Sequence, residues 1–210
     1  MNEKREQQVI QRKIKKGHSL SLYEQLAIFE MEEPAKWLRL YMRFYKIYFP
    51  EVEKRMVELA NASLLNFYFR EYTPKASTIE YMFEEKNIPA LEIYVRHNLL
   101  SEENQIRLIN LRNLRLLTIY FDNWYLDPNV QEYLLENGSQ KMIRAYITNH
   151  AFTAPLELVF VGKNITSLLR YYVRKHHLHK KARFLMFNVA DAEVVQAHVN
   201  KWSTVEVCDD

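Results

Sequence analysis

Glycine and cysteine are scarce: three glycines (Gly17, Gly138 and Gly162), six prolines and one cysteine occur in 210 residues. With so few turn-formers the hairpins of a many-stranded sheet are hard to build, and no GxGxxG or GxxxxGK[ST] phosphate loop can be assembled. Nucleotide-binding α/β folds are therefore set aside. The lone Cys208 supports neither an internal disulfide framework nor a multi-thiolate zinc site, and a reducing, cytoplasmic setting is expected. The opening run MNEKREQQVIQRKIKKGHS lacks the apolar stretch of a secretory signal, and no later run approaches the roughly 18 apolar residues of a membrane span; neither export nor anchoring of this form is expected. HExxH, GxSxG and spaced Cys/His sets are also missing. The chain is accordingly expected to be non-enzymatic, with no catalytic residue, cofactor, metal or small-molecule substrate. A net charge of +3 is too small to imply a nucleic-acid partner globally.

What the chain does have is a repeat of 26 residues. Tyr68, Tyr94, Tyr120, Tyr146 and Tyr172 stand at that spacing, followed by His198. Neighbouring columns keep the register: Leu64, Ala90, Leu116, Met142, Leu168 and Val194; then Leu65, Leu91, Leu117, Ile143, Leu169 and Val195; and, past the tyrosine, Phe69, Val95, Phe121, Ile147, Val173 and Val199. Earlier in each unit lies an apolar pair, as in Met56-Val57, Leu108-Ile109 and Phe160-Val161. Apolar residues at i, i+1, i+4 and i+5 make one face of a helix, not a strand. Just before that helix come Asn61, Asn87, Asn113, Ser139 and Asp191, interrupted by Ile165 with Asn164 one place early. These are N-cap residue types, whose side-chain oxygens satisfy free N–H groups at a helix start.

Each unit is thus predicted to be a short helix, a turn and a slightly longer helix, too small to bury its apolar face without a stacked neighbour. The units read as 51–76, 77–100 with a shortened join, 101–126, 127–152, 153–178 and 179–204. A divergent unit precedes them, with Leu22, Leu26 and Phe29 on its first helix and Trp37, Leu38, Tyr41 and Met42 on its second. The expected organisation is a polar capping helix in 1–19, a single repeat domain over 20–204, and an acidic tail over 205–210. The fold expected is all-α, an α-α superhelix of about seven hairpins with right-handed winding.

This pattern, for example Gln105-x-x-Leu108-Ile109 followed by Leu116-Leu117-x-x-Tyr120-Phe121, resembles the α-solenoid class that includes armadillo, HEAT and leucine-rich-variant proteins. Short-repeat bacterial proteins of that class look closest. The period is shorter than the ~34 residues of tetratricopeptide repeats or the ~40–47 of HEAT repeats, so the partners of those families are not carried over. The resemblance implies a concave face that holds a partner. It also admits a DNA glycosylase, but the repeat marks out no pocket with an acid and exposed aromatics.

The tyrosine ladder shares a helical face with the leucine pairs, so it is expected to pack the core, with each hydroxyl finding a partner, and not to stack bases. Two columns on the other side of the second helix vary freely, and residues four apart there share a face. They carry Arg70, Arg96, Arg144, Arg170 and Arg174. Further on, no acidic residue stands between Glu157 and Asp191, while Lys163, Arg170, Arg174, Lys175, Lys180, Lys181 and Arg183 supply seven positive charges. A patch of this kind suits phosphates or an acidic peptide. His176, His177 and His179 are a poor metal site, since cations crowd them and helical geometry splays them.

The function expected is a protein- or peptide-binding scaffold, its partner bound through Arg70, Arg96, Arg144, Arg170, Arg174, Lys175, Lys180 and Lys181; the alternative is nucleic-acid binding by region 163–183. The stacking assignment is directly testable. Leu117→Ala is expected to cost about 2–5 kcal/mol in a chemical denaturation experiment, and a loss below about 0.5 kcal/mol would put that column at the surface.

Overall fold

The helices begin where the caps and prolines put them. Asn61, Asn87, Asn113 and Ser139 each accept from the backbone N–H three residues on, at 3.0–3.3 Å, and Pro34, Pro50 and Pro128 occupy first helical positions, where no N–H is needed. In the computed structural model residues 3–202 are described. Residues 1–2 and 203–210, including Cys208 and the expected acidic tail, lie outside the described residues.

The described residues form fifteen α-helices and no strand: α1 (Glu3–Lys15), α2 (Leu22–Ala27), α3 (Pro34–Met42), α4 (Pro50–Leu59), α5 (Ala62–Glu71), α6 (Ala76–Glu84), α7 (Ile88–His97), α8 (Glu102–Asn110), α9 (Leu114–Phe121), α10 (Pro128–Asn137), α11 (Gln140–Asn149), α12 (Ala154–Gly162), α13 (Thr166–Lys175), α14 (Lys180–Val189) and α15 (Ala192–Trp202). A 3-10 turn, Ile28–Glu30, follows α2. Seven hairpins therefore follow α1. None of these helices is long and apolar enough to cross a membrane.

The chain divides into two compact units, 1–99 and 100–210. In the first, α2, α4 and α6 pack in succession as one layer and α1, α3, α5 and α7 as the other; in the second, α8, α10, α12 and α14 form one layer and α9, α11, α13 and α15 the other. The tyrosine ladder and the Leu65/Leu91/Leu117/Ile143/Leu169 column are buried in both units.

The second helix is the longer of its pair in α2/α3, α6/α7, α12/α13 and α14/α15, equal in α4/α5 and α10/α11, and one residue shorter in α8/α9. The first helix starts earlier than its apolar pair suggests because its opening turns bury a polar residue. In the first helix of the divergent unit and the turn after it, Gln25, Ile28 and Met31 are buried, and Leu22, Leu26 and Phe29 are half-buried.

That polar residue recurs as Gln25, Glu53, Gln105, Gln131 and Glu157. Each of the last four accepts from the backbone N–H that begins the next first helix: Glu53 from Lys75, Gln105 from Asp127, Gln131 from Thr153 and Glu157 from His179, at 2.9–3.1 Å. The glutamines also donate, Gln25 to Leu20 O, Gln105 to Leu100 O and Gln131 to Leu126 O. The ladder hydroxyls join in: Tyr68 donates to Glu53 at 2.7 Å and Tyr172 to Glu157 at 2.6 Å, while the Leu100 and Phe152 N–H groups donate to Tyr120 and Tyr172. Burial, then the bond to glutamate, pushes the Tyr68 and Tyr172 hydroxyls well above their usual range.

The repeat of α6 and α7 departs from this. Ile79 stands in the Gln/Glu column, the Tyr94 hydroxyl makes no hydrogen bond among the described residues, and burial alone raises it to about 12. The two tyrosines should therefore respond differently to loss of the hydroxyl. Tyr172→Phe removes the donor to a buried carboxylate and is expected to cost about 1–3 kcal/mol by urea denaturation, whereas Tyr94→Phe is expected to stay within about 0.5 kcal/mol.

Candidate partner-binding surface

The outward side of the second helices carries the residues that the repeat leaves free, and cross-helix pairs lace it together. In the first unit Arg39 donates to Ser63 at 3.0 Å and lies over the Phe67 ring, and His97 pairs with Asn66 at 2.8 Å. In the second, Asn149 donates to Asp122 at 2.7 Å and Arg170 to Glu193 at 2.8 Å. The Arg144 guanidinium sits 4.7 Å from the centre of the Tyr171 ring, near enough for a cation–π contact. Thr148 donates to Arg144 O, so its oxygen is left to accept from the Tyr171 hydroxyl at 3.2 Å. Beside this group a depression of about 300 Å³ opens between α9 and α11, with Leu114, Asp122, Lys141, Arg144 and Thr148 on its walls.

The eight cations named from the sequence are all exposed but differ in what they touch. Arg70 is paired with adjacent Glu71 at 2.8 Å, Arg144 with the Tyr171 ring and Arg170 with Glu193. Arg96, Arg174, Lys175, Lys180 and Lys181 form no ion pair or hydrogen bond among the described residues. Arg174 and Lys175 close α13, where cations suit the negative end of the helix dipole. Lys180 and Lys181 open α14, where the dipole disfavours them. The sequence did not mark Tyr171 as the partner of Arg144, since its own column runs through unlike residues: Phe67, Ile93, Ile119, Ala145 and Ala197.

The histidines separate into three structural jobs. His176 Nε2 lies 2.7 Å from Ile147 O, so it carries the proton and donates. His177 packs edge-on against Trp202, and His179 supplies the N–H that Glu157 accepts. His176 belongs to a column of its own. Tyr72 donates to Met42 O, Asn98 to Phe69 O, His150 to Phe121 O and Trp202 to Val173 O. In each case a residue at or just past the end of one second helix satisfies a last-turn carbonyl of the preceding second helix, which has no partner within its own helix.

No protein-family model, curated protein or solved structure matches the chain. The surface is therefore read from its own geometry. That geometry assigns His176 to packing, and His176→Ala is expected to lower stability by about 1 kcal/mol, measured by thermal or urea unfolding, while Lys175→Ala stays within about 0.5 kcal/mol.

Proposed function

We propose that the chain is a non-enzymatic helical-repeat scaffold, of the HEAT- or armadillo-like kind, that holds a protein or peptide along the outward side of its second helices in the cytoplasm. One observation carries this reading: the apolar columns that repeat are spent on packing, whereas the outward side of the second helices presents unlike polar residues. A surface freed from the repeat can be shaped to a partner without disturbing the stack. Its uncommitted charges are cations, Arg96 in the first unit and Arg174 with Lys175 in the second. Guanidinium groups suit carboxylates through paired N–H donors, so the partner segment is acidic or mixed acidic and apolar.

Nucleic-acid binding through 163–183 is the second reading, favoured by the five uncommitted cations Lys163, Arg174, Lys175, Lys180 and Lys181 in a stretch without acidic residues. Against it, Glu193 neutralises Arg170 and His176 is committed to packing. The patch is smaller than the sequence suggests.

Affinity capture from the native cell, with and without nuclease, separates the two readings. Arg144→Glu/Arg174→Glu is expected to abolish capture of a nuclease-resistant protein partner while leaving helicity unchanged and stability within about 0.5 kcal/mol per site. Retention of the same partners by the folded double variant would remove this face from consideration. Nuclease-sensitive capture, with oligonucleotide affinity falling at a log–log salt slope of about −0.7 to −0.9 per phosphate contact, would instead establish the second reading.

A further inference from the structure

The last hairpin presents an apolar face that every earlier hairpin keeps covered. Val57, Phe83, Ile109, Leu135 and Val161 occupy one column of the first helices and are buried; their counterpart in α14, Phe187, is 49% exposed. In the second helices Phe69, Val95, Phe121, Ile147 and Val173 are buried, and their counterpart in α15, Val199, is 38% exposed. Phe184, one turn before Phe187, is 73% exposed. Lys180, Arg183, Phe184 and Phe187 fall at i, i+3, i+4 and i+7 and so form one stripe along α14. With Lys181 they line a groove of about 540 Å³.

The charge of this stripe is reversed relative to the openings of α4, α8 and α12. Glu51 and Glu53 open α4, Glu102 and Glu103 open α8 and Glu157 opens α12, as the positive end of a helix favours. Lys180 and Lys181 open α14, against the dipole, and no acidic residue shares their turn. Arg183 stands in the column where Glu53, Gln105, Gln131 and Glu157 accept the N–H of the following repeat. A guanidinium has only donors, so a further repeat of the same kind would find no acceptor there.

We propose that this end of the second unit docks an amphipathic helix of a protein partner, its apolar stripe on Phe184 and Phe187 and its flanking carboxylates on Lys180 and Lys181. The docking continues the established helix-on-helix interface of the array, with the charge pattern selecting an acidic helix. A second copy of this chain is a poorer occupant, because a two-fold contact would set Lys180 and Lys181 against themselves. The proposal rests on reading the chain as a protein-binding scaffold but uses a different surface, so the two can fail separately.

The probe is a pair of fluorescent synthetic amphipathic helices with leucine at i, i+3, i+4 and i+7, one with glutamate and one with lysine on its flanks, titrated into the full chain and followed by anisotropy. The glutamate helix is expected to bind at least about tenfold more tightly than the lysine helix, with affinity falling as salt rises. Phe184→Ser/Phe187→Ser and Lys180→Glu/Lys181→Glu are each expected to weaken it by about tenfold or more, whereas Arg144→Glu, on the other surface, leaves it unchanged. Both double variants alter exposed side chains, and circular dichroism checks that they fold. Equal binding of the two helices, or binding indifferent to both double variants, overturns the proposal. So does sedimentation showing a dimer that Phe184→Ser/Phe187→Ser dissolves, or binding of the chain to anionic vesicles or oligonucleotides through Lys180 and Lys181 where the glutamate helix fails to bind.

Discussion

The backbone must pass from one hairpin to the next through buried surroundings, and its polar groups must be satisfied there. Leu100, Leu126, Phe152 and Leu178 are the residues at these crossings in the second unit, and all four are buried. A buried N–H or C=O without a partner costs about 1–3 kcal/mol, so a crossing left bare would offset much of what the apolar residue contributes. The Gln/Glu side chain and the ladder tyrosine remove that cost together. At Leu100, the Tyr120 hydroxyl takes the N–H and the Gln105 amide takes the C=O, while Gln105 also accepts the N–H of Asp127 at the next crossing. One side chain thereby ties two successive crossings.

At the other end of each hairpin a second seam does the same for carbonyls. The donors there are chemically diverse, a phenol at Tyr72, an amide at Asn98, imidazoles at His150 and His176 and an indole at Trp202. The requirement is one N–H or O–H at the correct reach, with an aromatic or flat body to fill the space beneath it. Tyr146 and Tyr172 meet the rings of His150 and His176 within 5.3 Å, so each histidine joins the aromatic core and the polar seam at once. The first seam lacks its polar residue at Ile79.

Much of this was legible in the sequence, for a definite reason. Leu117, Tyr120 and Asn113 each do one job set by local chemistry, burial or capping, and one period displays them all. The seams were less legible because each is a relation between residues 15, 22 or 29 apart, and because Gln105 and Glu157 look like surface residues by type. Their recurrence at the repeat spacing was the available signal. The turns gave none: Ala60, Lys86, Arg112 and Asn164 take left-handed backbone at φ 45–51°, at about 1–2 kcal/mol each for a residue with a side chain, and no glycine announces them. Gly138 stands at the same point of its repeat in extended backbone, where a Cβ would meet Leu134 O at 2.5 Å. The candidate surface was legible as a set of variable cations but not as a set of pairs. Whether Arg170 is neutralised or Arg174 is uncommitted depends on Glu193, which lies on another helix.

The separation of seams from faces bears on where recognition can reside. Both seams use backbone groups at the ends of helices, so the outward sides of the second helices and the last face of α14 carry no share of the repeat's own accounting. Substitutions there leave stacking intact, and composition is free to follow a partner. A departure from the rule inside a repeating column is different, since it forfeits a local gain and calls for a compensating one. Ile79 forfeits a seam bond and is compensated by apolar character. Arg183 forfeits the same bond and places a cation two residues from Lys181, at the end of a helix that already disfavours positive charge. Glu157 is bound by Tyr172 and His179 and Asp191 by Thr166, and Lys180 and Lys181 form no ion pair among the described residues. On the proposed docking the compensation comes from carboxylates brought to Lys180 and Lys181, and the two exposed phenylalanines beside them make an apolar helix bearing carboxylates a better match than a bare phosphate.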